Sequence, residues 1–141
     1  MIRQIFVDMV TAFSKGASTR GEVYLGLGGR EFRLDLDAHH EIEEGDEVTY
    51  VFGERANVAN AERNDPRKGM PLRLEDIPPF PAYIRLVPHN KSDDWNVANI
   101  RVRVVATEGG TELSALDGST GNIWLGTQSG TMLYLRPSAR G

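Results

Sequence analysis

The chain has 141 residues, 40% hydrophobic and 26% charged, with 20 acidic against 16 basic side chains and a net charge of −4. That length suits one domain able to bury a core without cross-links. The absence of cysteine excludes disulfides, thiolate metal sites and cysteine nucleophiles, and the acidic balance argues against a nucleic-acid binder, which needs a basic face. No stretch approaches the ~18 apolar residues of a membrane span. Gln4 and Asp8 interrupt the N-terminal apolar run, so it does not read as a signal peptide. The expectation is a cytoplasmic chain with no transmembrane segment.

Short runs rich in Val, Ile, Thr, Tyr and Phe, separated by Gly and Pro, give the spacing of an all-β sandwich or barrel. Met1 to Phe13 is a first strand with Ile5, Val7 and Met9 on one face. Ser14 to Gly21 is a loop. Glu22 to Leu36 is a hairpin. Val23, Leu25 and Leu27 alternate, Gly28-Gly29 supplies the positive φ of a two-residue turn, and Phe32, Leu34 and Leu36 alternate back. Gly26 to Gly29 is no phosphate loop, because no helix follows it.

Asp37 to Asp46 is an acidic connector, and Glu47 to Gly53 a strand with Val48, Tyr50 and Phe52 on one side. Glu54 to Arg63 has the alanine content of a short helix, ended by Asn64-Asp65-Pro66. Pro78-Pro79-Phe80-Pro81 keeps its segment out of any central strand. Ala82 to Val87 and Asn99 to Val105 are alternating strands, joined by the polar loop His89 to Asn96. Trp95 and Val97 share a face and Ile100 is out of phase with them, which places a bulge near Ala98-Asn99. Three shorter strands follow, at Thr111–Leu116, Asn122–Leu125 and Thr131–Arg136, with turns at Gly109-Gly110, Asp117-Gly118 and Ser129-Gly130. Residues 1–137 form one domain, and 138–141 read as a frayed tail.

These residues resemble the PLAT domain, also called the lipoxygenase homology domain, an eight-stranded antiparallel β-sandwich. His89, Asn90, Asp94 and Trp95 lie as that family's turn and Trp pair do, ahead of a Val-rich strand with Ile100, Val102 and Val104. Gly45-Asp46 is similar to its step into the fourth strand. Asn122-Ile123-Trp124-Leu125 and Leu135-Arg136-Pro137 resemble its closing signature. The likeness runs from about Phe6 to Pro137, with two departures: the family's early Gly-Thr is Gly21-Glu22 here, and Glu54 to Pro71 is an insert. The resemblance implies a non-catalytic module that docks a lipid surface or a protein through loops at one end, in several members with calcium.

Calcium takes about six to eight oxygens. On such a sandwich the loop after Lys15, the connector from Asp37 to Glu44 and the loop Asn90 to Asp94 share one end. The expected ligand oxygens are those of Gly21, Asp37, Glu41, Asn90, Asp93 and Asp94, the alternative being that these acids are solvated loop charges. Trp95, Phe80 and Glu22 are the candidate docking residues. The two tryptophans either close the ends of the core or stand exposed as anchors. His39-His40 with Glu43 and Glu44 makes a poor zinc chelate on an extended segment. Arg101 and Arg103 lie on the outer face of their strand, placed either to pair with acids on a neighbouring strand or to receive an acidic partner. No serine lies in a nucleophile elbow. Asp35 and Asp37 share a strand face as a glycosidase's carboxylates could, but with Arg33 beside them they read as a solvated face, and a carbohydrate-active enzyme is the third reading. The alternative function is a structural or assembly subunit of a homo-oligomer, as in a phage or capsid, with the C-terminal hairpin adding a strand to a neighbour. The oligomeric state is open.

Overall fold

The structure, a computed structural model, describes residues 1–38, 41–116 and 122–138. The expected His39-His40 pair, the Asp117-Gly118 turn and the last three tail residues lie outside them. Alternation in the sequence becomes two antiparallel sheets facing each other. The strands are β1 (Ile2–Thr11), β2 (Glu22–Leu27), β3 (Arg30–Arg33), β4 (Glu47–Gly53), β5 (Tyr83–Val87), β6 (Trp95–Ala106), β7 (Gly109–Ala115), β8 (Ile123–Leu125), β9 (Met132–Tyr134) and β10 (Arg136–Pro137). The larger sheet runs β10-β7-β6-β1-β4, with β8 also paired to β6, and the smaller runs β3-β2-β5-β9. This is the expected all-β antiparallel sandwich. No helix among the described residues is long and apolar enough to cross a membrane.

The core is what the period-2 pattern dictates. Ile5, Val7 and Met9 of β1, Tyr50 and Phe52 of β4, and Ile100, Val102 and Val104 of β6 point inward from the larger sheet. Val23, Leu25 and Leu27 of β2, Phe32 of β3, and Ile84 and Leu86 of β5 meet them from the smaller one. Phe32 and Phe52 join the layers with ring centroids 5.5 Å apart at a 58° tilt, a tilted pair worth about 1 kcal/mol beyond its buried area. Leu27 faces Arg30 across the Gly28-Gly29 turn, whose φ values of 60° and 82° need glycine. On the outer face Asp8 sits opposite Arg101 and within 3.6 Å of it and 3.5 Å of Arg103, the expected cross-strand pairing.

β6 begins four residues earlier than its Val-rich alternation suggests. Val10 pairs with Asn99 but Thr11 pairs with Val97, so Ala98 is the extra residue of a bulge. The bulge resets the phase and turns Trp95 inward. Trp95 is 0% exposed and its Nε1–H donates to the buried Thr11 Oγ1 at 3.0 Å. It is therefore a core residue, which corrects its expected place on a docking surface.

The Glu54–Arg63 segment is not helical. Arg55 and Asn60 hold φ of 57° and 52°, left-handed values that no α-helix contains, and the segment is a chain of turns. Among the described residues the helical structure is one 3₁₀ turn, Leu74–Asp76. The long β4–β5 connection instead covers sheet edges. The Asn57 side chain accepts from the Val51 N–H at 2.7 Å and donates to the Thr49 carbonyl at 2.9 Å, satisfying the free edge of β4 as a strand would. Asn64 Oδ1 accepts from the Arg33 N–H of β3 at 2.9 Å. Arg30 donates to the carbonyls of Lys68 and Met70 at 3.1 and 3.0 Å. The connection thus closes one whole side of the sandwich. At the chain's far end, Ser138 donates its N–H to the Glu112 carbonyl at 2.9 Å and its hydroxyl bonds Ser114 at 3.1 Å. The ordered sandwich therefore reaches into the segment expected to fray.

Candidate docking site at one end of the sandwich

Three loops meet where β1 ends and β2, β4 and β6 begin: 12–21, 34–46 and 88–94. Hydrogen bonds brace them to one another. The Thr19 N–H donates to the Ile42 carbonyl at 3.1 Å. The Gly16 N–H donates to Glu44 Oε1 at 2.8 Å. The buried Thr19 hydroxyl and the His89 N–H both donate to Asp93 Oδ2, each at 2.8 Å. Asp93 is thus the keystone between the first and third loops, and Gly21 lies beside it. A cleft of about 190 Å³ opens between the first two loops and the start of β2, walled by charges of both signs: Arg20, Glu22, Arg33, Asp35 and Glu41.

Apart from Asp37, the residues expected to hold calcium come to this end, but not as one ligand set. Among the described residues no three His, Asp or Glu side chains stand close enough together to hold a metal ion. Asp93 Oδ2 already accepts two bonds. Asn90 Oδ1 accepts from the Ser92 N–H at 2.9 Å, closing a local turn. Asp94 packs against Gly126 of the β8–β9 loop. Glu41 stands 3.9 Å from Arg20. Asp37 is drawn away, its N–H donating to the Asn57 carbonyl at 2.8 Å. The donor set as arranged does not fit a calcium ion, which needs several oxygens converging on one point.

The expected docking residues separate. Trp95 is in the core. Glu22 lies on the outer face of the smaller sheet, accepting from the Tyr24 hydroxyl at 2.9 Å and standing 3.5 Å from Arg33. Phe80 is 50% exposed but at the opposite end, against Gly29 of the β2–β3 turn, on the rim of an apolar groove of about 510 Å³ with Ile77, Leu113 and Leu135. At the braced end itself the exposed aromatic is Phe13, unremarked in the sequence because it looks like the last residue of a strand. It is 92% exposed. β1 ends at Thr11, and the Ala12 N–H donates to the Asn96 carbonyl at 2.9 Å while its carbonyl accepts from the Gly45 N–H at 3.1 Å. Phe13 therefore sits one residue past a backbone pinned on both sides, with its ring over Gly45. Trp124, 39% exposed, pairs with Asn96 near the same end.

No protein-family model matches the chain, and no curated protein sequence matches it. Solved structures do. The chain is similar to the alpha toxin of Clostridium absonum, with a TM-score of 0.60 and 22% identity over 96% of this chain and 31% of the toxin. It is similar to a lipoxygenase solved in complex with arachidonate, with a TM-score of 0.58 and 13% identity over 96% of this chain and 16% of that one. It is also similar to coral 8R-lipoxygenase, described as activated by calcium via a C2-like domain, with a TM-score of 0.57 and 13% identity over 96% of this chain and 17% of that one. Likeness at such identities establishes fold alone. The class so defined is the PLAT-like antiparallel β-sandwich, and the chain spans about a sixth to a third of the length of the proteins it matches.

Proposed function

We propose that the chain is a non-enzymatic docking module of PLAT type that engages a lipid surface through its braced end, with Phe13 as the inserted side chain. The observation that carries this reading is a nearly fully exposed phenylalanine held on a rigid tip. Single exposed apolar residues are ordinary, but a large ring standing free on hydrogen-bonded backbone forfeits burial without an entropic reason to do so. The fold likeness to lipoxygenase and alpha-toxin chains supports a lipid partner over other surfaces. The acids of this end, Glu41, Glu43, Glu44 and Asp46, outnumber Lys15 and Arg20 beside them. A zwitterionic surface therefore suits it better than an anionic one. Calcium has no assembled ligand set among the described residues, and the docking is proposed without it.

The test is co-sedimentation with phosphatidylcholine vesicles, in calcium and in chelator. Moving one Phe ring from water into the interface is worth about 1.5–3 kcal/mol. Phe13→Ala is expected to weaken vesicle binding by about tenfold or more, while Phe80→Ala at the other end leaves it unchanged. Equal loss in both variants, or none in Phe13→Ala, refutes the assignment of the tip.

A further inference from the structure

The outer face of the smaller sheet carries a row of side chains that the docking end does not use. Cross-strand register places Tyr134 of β9 opposite Tyr83 of β5, Tyr83 opposite Gly26 of β2, and Gly26 opposite Glu31 of β3. Paired residues share a face, so the row crosses all four strands. The Tyr83 ring lies across Gly26, where any Cβ would clash with the ring. Its hydroxyl donates to Glu31 Oε2 at 2.7 Å. Arg85 fixes the same carboxylate with two bonds of 2.8 Å and lays its guanidinium over the Tyr24 ring at 4.5 Å. The Tyr83 ring is thus held against the Gly26 backbone and tethered at its hydroxyl, the residue as a whole half-buried. Tyr134 stands next to it, 60% exposed.

We propose that this row is a binding platform for a neutral glycan, one sugar ring stacking on Tyr83 and the next on Tyr134. A pyranose presents an apolar C–H face and a rim of hydroxyls. The platform offers the complement, flat aromatic surface bordered by a carboxylate and a guanidinium already held in place. Ring-based contact area comes at low entropic cost when the ring is immobile beforehand. Charge complementarity selects the ligand class. Among the described residues, the ionised groups that the strands of this sheet present on the face are Glu22 with Arg33 and Glu31 with Arg85, two acids against two bases, each paired within 3.5 Å. Such a face attracts neither phosphate nor an acidic or basic protein segment, and suits an uncharged polyhydroxyl chain. The platform is flat, so it takes an extended oligosaccharide rather than a buried monosaccharide.

The experiment is titration of the intact chain with neutral hexasaccharides (β-1,4-glucan, α-1,4-glucan and β-1,4-mannan) and an array of immobilised glycans, followed by tyrosine-ring NMR shifts. Binding of at least one glycan is expected, with shifts at Tyr83 and Tyr134. Tyr134→Ala, at an exposed site that leaves the core untouched, weakens it at least tenfold, and Gly26→Ala, which displaces the Tyr83 ring, does the same. Tyr83→Phe keeps the stacking surface and retains most of the affinity. Phosphatidylcholine vesicle binding is unaffected in Tyr134→Ala, which separates this site from the Phe13 tip. Absence of binding to every glycan overturns the proposal. So does binding unchanged by Tyr134→Ala, and so does self-association lost in Tyr134→Ala, which would make the face an interface between copies of this chain.

Discussion

Removing the Asp93 carboxylate tests the braced end directly. In Asp93→Ala the His89 N–H, which is exposed, finds water and loses little. The Thr19 hydroxyl is buried and bonded to Asp93 Oδ2 at 2.8 Å, so its loss is felt in full. A hydrogen bond to a charged group is worth about 1.5–3 kcal/mol, and a buried donor left without a partner costs about as much. With the small contribution from His89, the variant is destabilised by about 2–3 kcal/mol. For a chain of this size that lowers Tm by roughly 6–9 °C. Asp93→Asn keeps an acceptor oxygen at the same place and loses only the charge, so it falls less than half as far. Thermal unfolding followed by near-ultraviolet circular dichroism reads both, in millimolar calcium and again in chelator. The brace predicts drops that are the same in the two buffers. A change below about 2 °C in Asp93→Ala refutes the brace. A wild-type Tm that rises with calcium while the variant's does not would refute the reading of Asp93 as a structural residue and restore it as a metal ligand.

Thr11→Val keeps the side chain's volume but strands the Trp95 Nε1–H in the core, costing about 1–3 kcal/mol by urea unfolding. In a Trp95→Phe background the same change is expected to be neutral, and an equal cost in both backgrounds would sink the hydrogen-bond explanation. Glu31 and Asp65 give the pH dependence. Hydrogen bonds from Arg85 hold the Glu31 carboxyl below its ordinary range, and those from Arg67 do the same for Asp65. Both contribute stability that is complete above the unfolded values of about 4.3 and 3.9 and is lost as pH falls through the lower folded ones. Tm is expected to fall as pH is lowered below about 4, and to fall less steeply in Glu31→Gln. An unchanged slope would show that the Arg85 pair contributes nothing.

The sandwich was legible because alternation is a local signal. β1, the Gly28-Gly29 hairpin and the phase break between Val97 and Ile100 all follow from counting residues along one strand. The meeting of the three loops was legible too, since it depends only on which ends the strands begin and finish at. The function of individual side chains was not. Whether Asp93 or Asn90 has an oxygen left for a ligand depends on what Thr19, His89 and Ser92 donate, and those are contacts rather than spacings. Ala content made 54–63 look helical, but Asn57 and Asn64 gain more by bonding strand edges than a lone short helix would gain in water. Phe13 hid because strand alternation continues through it, while the sheet ends two residues before it. The Tyr134–Tyr83–Gly26–Glu31 row crosses four strands from distant parts of the sequence. It appears only when the register between them is known.

The sealed side of the sandwich is closed by side-chain amides, which are chemically perishable. Slow hydrolysis of Asn57 to aspartate would replace the Nδ2 donor with an oxygen facing the Thr49 carbonyl, 2.9 Å away. The two would repel, and the edge of β4 would come open. An edge so opened would be free to pair with the edge of another copy of the chain.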